Sequence, residues 1–213
     1  MTTVVRSPAR RTGWRRVAHL ARRALRVEVS GYASLLRLLL RRPRVPAGAE
    51  GFTSHRPDLP ILVVITVVSA VEVVAVDLIV HRWASVRLPL LVLGIWGLVF
   101  MLGLLAGMVT RPHAVGPEGI RVRTATEIDF ALAWDDIHTI TRRRALVQER
   151  RPMLTTDADG GVTLHLRVQN ETNIEITLHD PVPVGLPNGR AFVSAVHLYT
   201  DDPGGFLAAA RRY

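Results

Sequence analysis

The sequence contains no cysteine, and all 27 of its basic residues are arginine rather than lysine. Without cysteine the chain has no disulfide bond, no thiolate nucleophile and no cysteine-ligated metal site. We attribute the exclusive use of arginine to codon bias rather than to a chemical requirement.

Familiar catalytic and metal-binding patterns are also lacking. The eight histidines are scattered, and none has the HExxH or HxH spacing of a metal site. Asp135 and Asp136 are adjacent on a predicted turn, where neighbouring side chains diverge, which favours a turn role over acid–base chemistry. His165 falls on the polar face of its predicted strand, so we expect it to be solvated. The sequence therefore predicts no enzymatic activity, no catalytic residue, no metal and no cofactor.

What the sequence does contain is two long apolar runs, 59–80 and 88–109, joined by a short turn. A helix rises about 1.5 Å per residue, so about 20 apolar residues cross a hydrocarbon core about 30 Å thick. The alternative is a buried helix pair in a soluble core, but a chain of 213 residues rarely buries two such helices. We predict a transmembrane hairpin over 59–110.

Two acids interrupt the first run, Asp77 near its end and Glu72 near mid-depth. A central acid costs about 3 kcal/mol on insertion scales and commonly marks a functional position. One interpretation is a protonated Glu72 that bonds a neighbouring helix and holds subunits together; the other is proton or ion handling. The first is favoured because no second charged helix is present to form a path.

A turn centred near Ala84 places Glu72 at the depth of Trp96 and Gly97. Gly103 and Gly107 have the GxxxG spacing that permits close helix contact. The candidate intramembrane or oligomer contacts are Glu72, Asp77, Gly97, Gly103 and Gly107.

Residues 1–58 form a basic arm that contains a predicted amphipathic helix over 14–42. Its apolar residues fall in one stripe opposite the arginines, and Glu28 interrupts that stripe. The helix could lie on the membrane, with Arg22, Arg23 and Arg26 contacting anionic headgroups, or its stripe could pack on the following domain. Glu28 favours a protein partner, and nucleic-acid binding is disfavoured because no recognition motif is present.

The distribution of arginine predicts the orientation of the hairpin. Arginines are concentrated before the first run, whereas the turn has only Arg82 and Arg87. The positive-inside rule then places both termini in the cytoplasm, in a multi-pass protein of the inner membrane.

Residues 111–213 change to alternating periodicity, which predicts a small antiparallel β domain. The predicted strands are 119–124, 127–134, 137–141, 162–168, 174–178 and 191–199. Turns are predicted at Asp159-Gly160 and Asn188-Gly189, and the strand over 174–178 is expected to pair back on 162–168. A polar stretch over 148–159 is predicted to be irregular, and a C-terminal helix over 202–212 covers the sheet with Phe206 and Leu207.

Residues 115–123 (Val-Gly-Pro-Glu-Gly-Ile-Arg-Val-Arg) and 133–137 (Ala-Trp-Asp-Asp-Ile) resemble bacterial pleckstrin-homology-like (PH-like) domain proteins. The chain is also similar to uncharacterised actinobacterial two-span membrane proteins. The resemblance implies a seven-stranded bent barrel capped by a helix, with Trp134 and Ile137 in its core, and no enzyme activity. The longer polar loop over 148–159 departs from the family pattern.

The sequence thus predicts an α+β membrane protein: an amphipathic helix, a transmembrane hairpin, and an antiparallel PH-like barrel or sandwich closed by a helix. The expected function is an interaction or assembly module presented to the cytoplasm; the alternative is oligomeric transport of a small solute or protons through Glu72. The expected partners are anionic lipid headgroups and a second copy or other membrane proteins, with no nucleic acid. A candidate lipid or partner contact in the domain is the run Arg142, Arg143 and Arg144.

Overall fold

The computed structural model describes residue 25 and residues 28–40, 45–124, 128–146, 153–157, 159–187 and 189–213. The described chain is α+β, with long helices in its first half and two β-sheets in its second.

Three helices make up the helical part. Helix α1 covers residues 28–39, and residue 25 is also helical. Helix α2 is Leu59–Val80, and helix α3 is Ala84–Thr110. Helix α2 has the predicted bounds, whereas α3 begins four residues before the predicted start at Leu88 and takes up most of the predicted turn. Both α2 and α3 are long and apolar enough to cross a membrane.

The first sheet has four antiparallel strands in the order β1-β2-β3-β4. These strands are β1 (Glu50–Phe52), β2 (His113–Gly116), β3 (Gly119–Thr124) and β4 (Ile128–Leu132). Strand β1 precedes the helical hairpin and pairs with β2, which follows it, through Glu50 with Val115 and Phe52 with His113. Residues 50–52 were predicted to lie in the basic arm over 1–58, but they form a strand of this sheet.

The second sheet has five strands in the order β5-β8-β9-β7-β6. They are β5 (Ile137–Leu146), β6 (Leu154–Thr156), β7 (Val162–Leu166), β8 (Glu171–Leu186) and β9 (Gly189–Leu198). A short 3-10 turn, Trp134–Asp136, joins the two sheets. Strand β6 lies within the stretch over 148–159 that was predicted to be irregular.

The prediction for this region was an antiparallel barrel or sandwich, and the structure shows two sheets and no closed barrel in the described chain. The two sheets are separate, and β7 runs parallel to β9. The predicted hairpin between 162–168 and 174–178 is also wrong, because the end of β9 lies between β7 and β8: Leu198 pairs with both Leu166 and Ile174. Among the described residues, β7 and β8 are joined directly only by the bridge between Val168, just after β7, and Glu171, the first residue of β8. The alternation within a strand reports which face is buried, not which strand is its neighbour.

Helix α4, Pro203–Ala210, covers the core as predicted. The Asp202 carboxylate accepts a hydrogen bond from the Gly205 backbone N–H at 2.8 Å, which caps the helix. Phe206 is fully buried and meets Phe52 edge to face. The other fully buried apolar residues are Ile120, Val122, Leu132, Leu164, Ile174, Ile176, Val184, Val193, Val196 and Leu198.

Two sequence expectations about side chains of the β region need correction. Trp134 is only partly buried; it donates a hydrogen bond to the Gly116 carbonyl at 3.0 Å and stacks on Tyr213. His165, expected to be solvated, is buried against His197 and lies 2.8 Å from the Thr155 hydroxyl.

Candidate functional site

Helix α3 is the central element of the helical part, because α2 and α1 pack on its opposite faces. A Cβ atom built on Gly94 would lie 2.7 Å from Val73 of α2. A Cβ atom built on Gly103 would lie 3.2 Å from the Cα atom of Gly31 in α1. Gly94 and Gly103 are about two and a half helical turns apart and therefore face opposite sides. At Gly103 glycine lets the backbones of α1 and α3 approach closely, and at Gly94 it leaves room for the Val73 side chain of α2.

The contact at Gly103 and Gly107 is made within the chain. Their GxxxG spacing predicted a close helix contact, either within the membrane part or between subunits, and in the structure α1 of the same chain lies on this face. Ser34 of α1 is fully buried there, and its hydroxyl donates to the Ser30 carbonyl at 2.8 Å. The Arg111 guanidinium, just beyond the end of α3, also donates to the Ser30 hydroxyl.

A polar cluster joins α1 to the middle of α3. One carboxylate oxygen of Glu28 accepts hydrogen bonds from the Tyr32 hydroxyl and the Trp96 indole N–H, both at 2.7 Å. The indole N–H also lies 3.2 Å from the Tyr32 hydroxyl oxygen. The partner of Glu28 is therefore α3, which was neither of the two positions considered for the amphipathic helix.

A groove of about 340 Å³ lies between α2 and α3 on the other face of α3. Its polar lining residues are Ser69, Glu72, Asp77 and Arg87, and the rest of the lining is Gly94, Gly97 and apolar side chains. Glu72 is exposed, and within the part of the chain that the structure describes no side chain donates a hydrogen bond to it. A Cβ atom built on Gly97 would meet nothing within 4 Å, so the groove is open at this point.

The two glutamates lie at the same height along α3. Helices α2 and α3 are antiparallel, with Asp77 paired to Arg87 and Val73 against Gly94, which places Glu72 level with Ile95 and Trp96. This agrees with the depth expected from the sequence. Glu28 bonds to Trp96 from the opposite side.

Asp77 is held within the hairpin. Its two carboxylate oxygens accept from Nε and Nη2 of Arg87 at 2.6 and 2.9 Å. This bidentate pair satisfies the acid beside the turn, so Asp77 needs no partner from a second chain.

The predicted arginine contacts have different outcomes. Arg143 pairs with Glu175 at 3.2 Å, and Arg144 pairs with Glu171 at 2.7 Å, where the carboxylate raises the pKa of the Arg144 guanidinium. Their charge is thus balanced within the sheet, and of the run Arg142–Arg144 only Arg142 lacks such a carboxylate among the described residues. The other candidates, Arg22, Arg23 and Arg26, lie outside the described residues.

The β region is tied to the base of the hairpin. The Asp201 carboxylate accepts from the Thr53 hydroxyl at 2.7 Å and from the His55 backbone N–H at 3.2 Å, and the Asp201 N–H donates to the Thr53 carbonyl. Gln169 donates to the Pro57 carbonyl at 2.6 Å. Because α3 runs almost directly into β2, both ends of the hairpin are fixed to the sheets.

His113 is a buried residue that sequence reasoning did not single out. Its Nδ1 accepts from the Arg123 backbone N–H at 3.1 Å, so the proton is on Nε2, which donates to the Tyr199 carbonyl at 3.2 Å. Burial lowers the pKa of His113 to about 4. Nothing in the local sequence distinguishes it from the exposed histidines.

The described residues contain no group of three His, Asp or Glu side chains that could hold a metal ion. No family model matches the chain, and no curated protein or solved structure matches it significantly. These comparisons indicate no enzyme family.

Proposed function

We propose that the chain is a membrane-anchored assembly module. In this proposal α2 and α3 cross the inner membrane as a hairpin, with the C-terminus and the β region in the cytoplasm. Large apolar side chains of both helices are exposed on the faces that do not pack on another helix, which suits a lipid environment rather than water. The hairpin turn lies at the opposite end from the β region, as the distribution of arginine requires.

The module presented to the cytoplasm is, in this proposal, PH-like. Two small sheets with a C-terminal helix over the core support that interpretation. The attachment of the β region to both ends of the hairpin, through Asp201 and β2, holds the module in one orientation to the membrane. A fixed orientation suits assembly with other copies.

The observation that carries the proposal is the exposed Glu72 in the groove between α2 and α3. An acid without a partner in the hydrocarbon layer costs about 3 kcal/mol. A protonated carboxyl group both donates and accepts, so two copies facing each other satisfy both groups. The open space at Gly97 lets the second copy approach closely. Self-association through Glu72 therefore removes the free-energy cost of an unpartnered carboxyl group in the hydrocarbon layer.

The test compares Glu72→Leu, Glu72→Gln and the control Val71→Leu, which changes an exposed residue outside the groove. Molar mass in a mild detergent is measured by light scattering. Glu72→Leu should dissociate the oligomer, Glu72→Gln should retain it because the amide still donates and accepts, and Val71→Leu should behave as the parent. An unchanged mass for Glu72→Leu would contradict the proposal.

The alternative is proton or solute transport through Glu72. The other ionisable residues that line the groove, Asp77 and Arg87, are paired with each other near the turn. Glu28 lies on the other face of α3, where it accepts from Trp96. If Glu72→Gln abolished proton flux into vesicles while the oligomer mass stayed the same, transport would replace assembly as the function.

A further inference from the structure

We propose that α1 is itself inserted into the lipid layer beside α3, so that the side of α1 turned away from α3 contacts acyl chains. This inference rests on the proposed membrane hairpin. It concerns four exposed apolar residues, the outer stripe. They are Leu25, which is also helical, and Val29, Leu36 and Leu39 of α1, and they are 60%, 59%, 58% and 80% exposed, respectively.

The contacts of α1 place it far along α3. Ser34 lies at Gly107, Gly31 at Gly103, and Glu28 at Trp96. Because Ser34 is level with Gly107, Arg37 is level with the end of α3, and from there to Glu28 α1 is about 14 Å long at about 1.5 Å per residue. A helix lying on the membrane surface would contact α3 only near its end, so α1 descends beside α3 through about half of a hydrocarbon core about 30 Å thick.

The polarity of α1 is the reverse of that of a helix on a water-soluble domain. Its inner face, against α3, carries the polar or small residues Glu28, Ser30, Gly31 and Ser34, and its outer face carries the stripe. In water the apolar face would be turned inward. Small residues at the helix contact and polar groups turned to a neighbouring helix are the arrangement found in lipid.

The cluster around Glu28 satisfies the carboxyl group at this depth. The Tyr32 hydroxyl and the Trp96 indole supply two donors at 2.7 Å. The acid that interrupts the stripe thereby has two donors, and the partly exposed Tyr32 and Trp96 lie beside it at the edge of the contact between α1 and α3. Arg37 lies beyond the level of Ser34 and Gly107, near the end of α3 where its guanidinium can reach water.

We assign acyl chains as the contact of the outer stripe because the stripe lies at the same depth in the membrane as exposed apolar residues of α3. At the level of Glu28 and Gly31, α3 exposes Ile95 and Leu102, and Val92 is exposed about one turn further along. A layer that solvates these side chains with acyl chains surrounds the stripe as well. Contact of the stripe with a second copy is the competing outcome.

The test uses the absence of cysteine, which allows single thiols to be placed without removing any native one. Val29→Cys and Leu36→Cys are each labelled with bimane and reconstituted in phosphatidylcholine vesicles whose acyl chains carry bromine, a short-range quencher. Val92→Cys on α3 reports on the hairpin, and Ala47→Cys, in the exposed turn after α1, reports on water. All four sites are partly or fully exposed, so the substitutions remove little packing.

Labels at positions 29, 36 and 92 should lose most of their fluorescence relative to unbrominated vesicles, and the label at 47 should keep it. If 92 is quenched while 29 and 36 are not, the inference is overturned and the membrane hairpin stands. If 92 keeps its fluorescence as well, the proposed membrane function fails with it. Cross-linking of Leu36→Cys to a second copy, without quenching, would show that a protein covers the stripe and would also overturn the inference.

Discussion

Glu28 and Glu72 are the same residue type at the same height of α3, yet their surroundings differ. Glu28 accepts two hydrogen bonds within the chain, and Glu72 faces an open groove. An acid that is buried or exposed to lipid is costly unless hydrogen-bond donors contact it. Glu28 has such donors within the chain, whereas Glu72 still requires one. Which glutamate has which role could not be predicted from the sequence, because the donors to Glu28 come from two different helices.

At the residue scale the clearest pH dependence belongs to His113. Its pKa in the folded protein is about 4, against an ordinary value of 6.5, because burial disfavours the charged ring. Between pH 6.5 and 4 the unfolded chain binds a proton that the folded chain does not. The contribution of neutral His113 to the free energy of unfolding is therefore fully present above pH 6.5. It is lost as the pH falls towards 4, by up to about 3 kcal/mol.

The measurement is denaturant unfolding of the β region, with the protein in detergent, at several pH values between 4.5 and 7.5. This range covers most of the interval between the folded and unfolded pKa values of His113. His113→Gln should be less stable at neutral pH and should show a shallower loss of stability on acidification. Burial also lowers the pKa of His197, so part of the slope should remain in the variant. An identical slope for the variant and the parent would exclude His113 as a titrating group.

At the element scale, the prediction concerns the close contact of α1 with α3. Gly103→Leu places a side chain where the Gly31 backbone lies, and a Cβ atom alone would be 3.2 Å from it. The variant should therefore push α1 away from α3. Gly97→Leu is the matched control, since nothing lies within 4 Å of its Cβ position.

A thiol in place of Ser34 reports the result, because Ser34 is fully buried between the two helices. In detergent, Ser34→Cys should react slowly with a maleimide alone and in combination with Gly97→Leu, and much faster in combination with Gly103→Leu. Equal rates for both combinations would mean that α1 does not depend on this contact.

The elements that were predicted well are those whose own residues determine them. The apolar length of α2 fixed both of its ends, and the alternation around Ile120 and Val122 located β3. Pairings between distant segments could not be predicted: β1 before the hairpin joins β2 after it, and β9 lies between β7 and β8. The docking of α1 on α3 was missed because the pattern of α1 separates apolar from polar residues but does not say whether water or lipid surrounds them.

At the scale of the whole molecule, the contacts constrain the topology more strongly than the distribution of arginine does. Strand β1, between α1 and α2, pairs with β2 after α3, so the segment entering the hairpin and the segment leaving it lie on the same side of any membrane that the hairpin crosses. The Asp201 contacts to Thr53 and His55 repeat this constraint from the C-terminal part of the chain. The turn at His81–Trp83 lies at the far end.

This topology predicts that an alkaline phosphatase fused after Tyr213 is inactive, since the enzyme matures only outside the cytoplasm, and that a green fluorescent protein at the same point is bright. The same phosphatase inserted in the turn at Arg82 should be active and is the control for expression and insertion. Phosphatase activity after Tyr213 together with inactivity at Arg82 would invert the orientation while leaving the pairing of β1 with β2 intact. Activity at both points would mean that the turn and the C-terminus lie on the same side of the membrane, so that α3 between them does not cross it, and the proposed membrane hairpin would then be wrong.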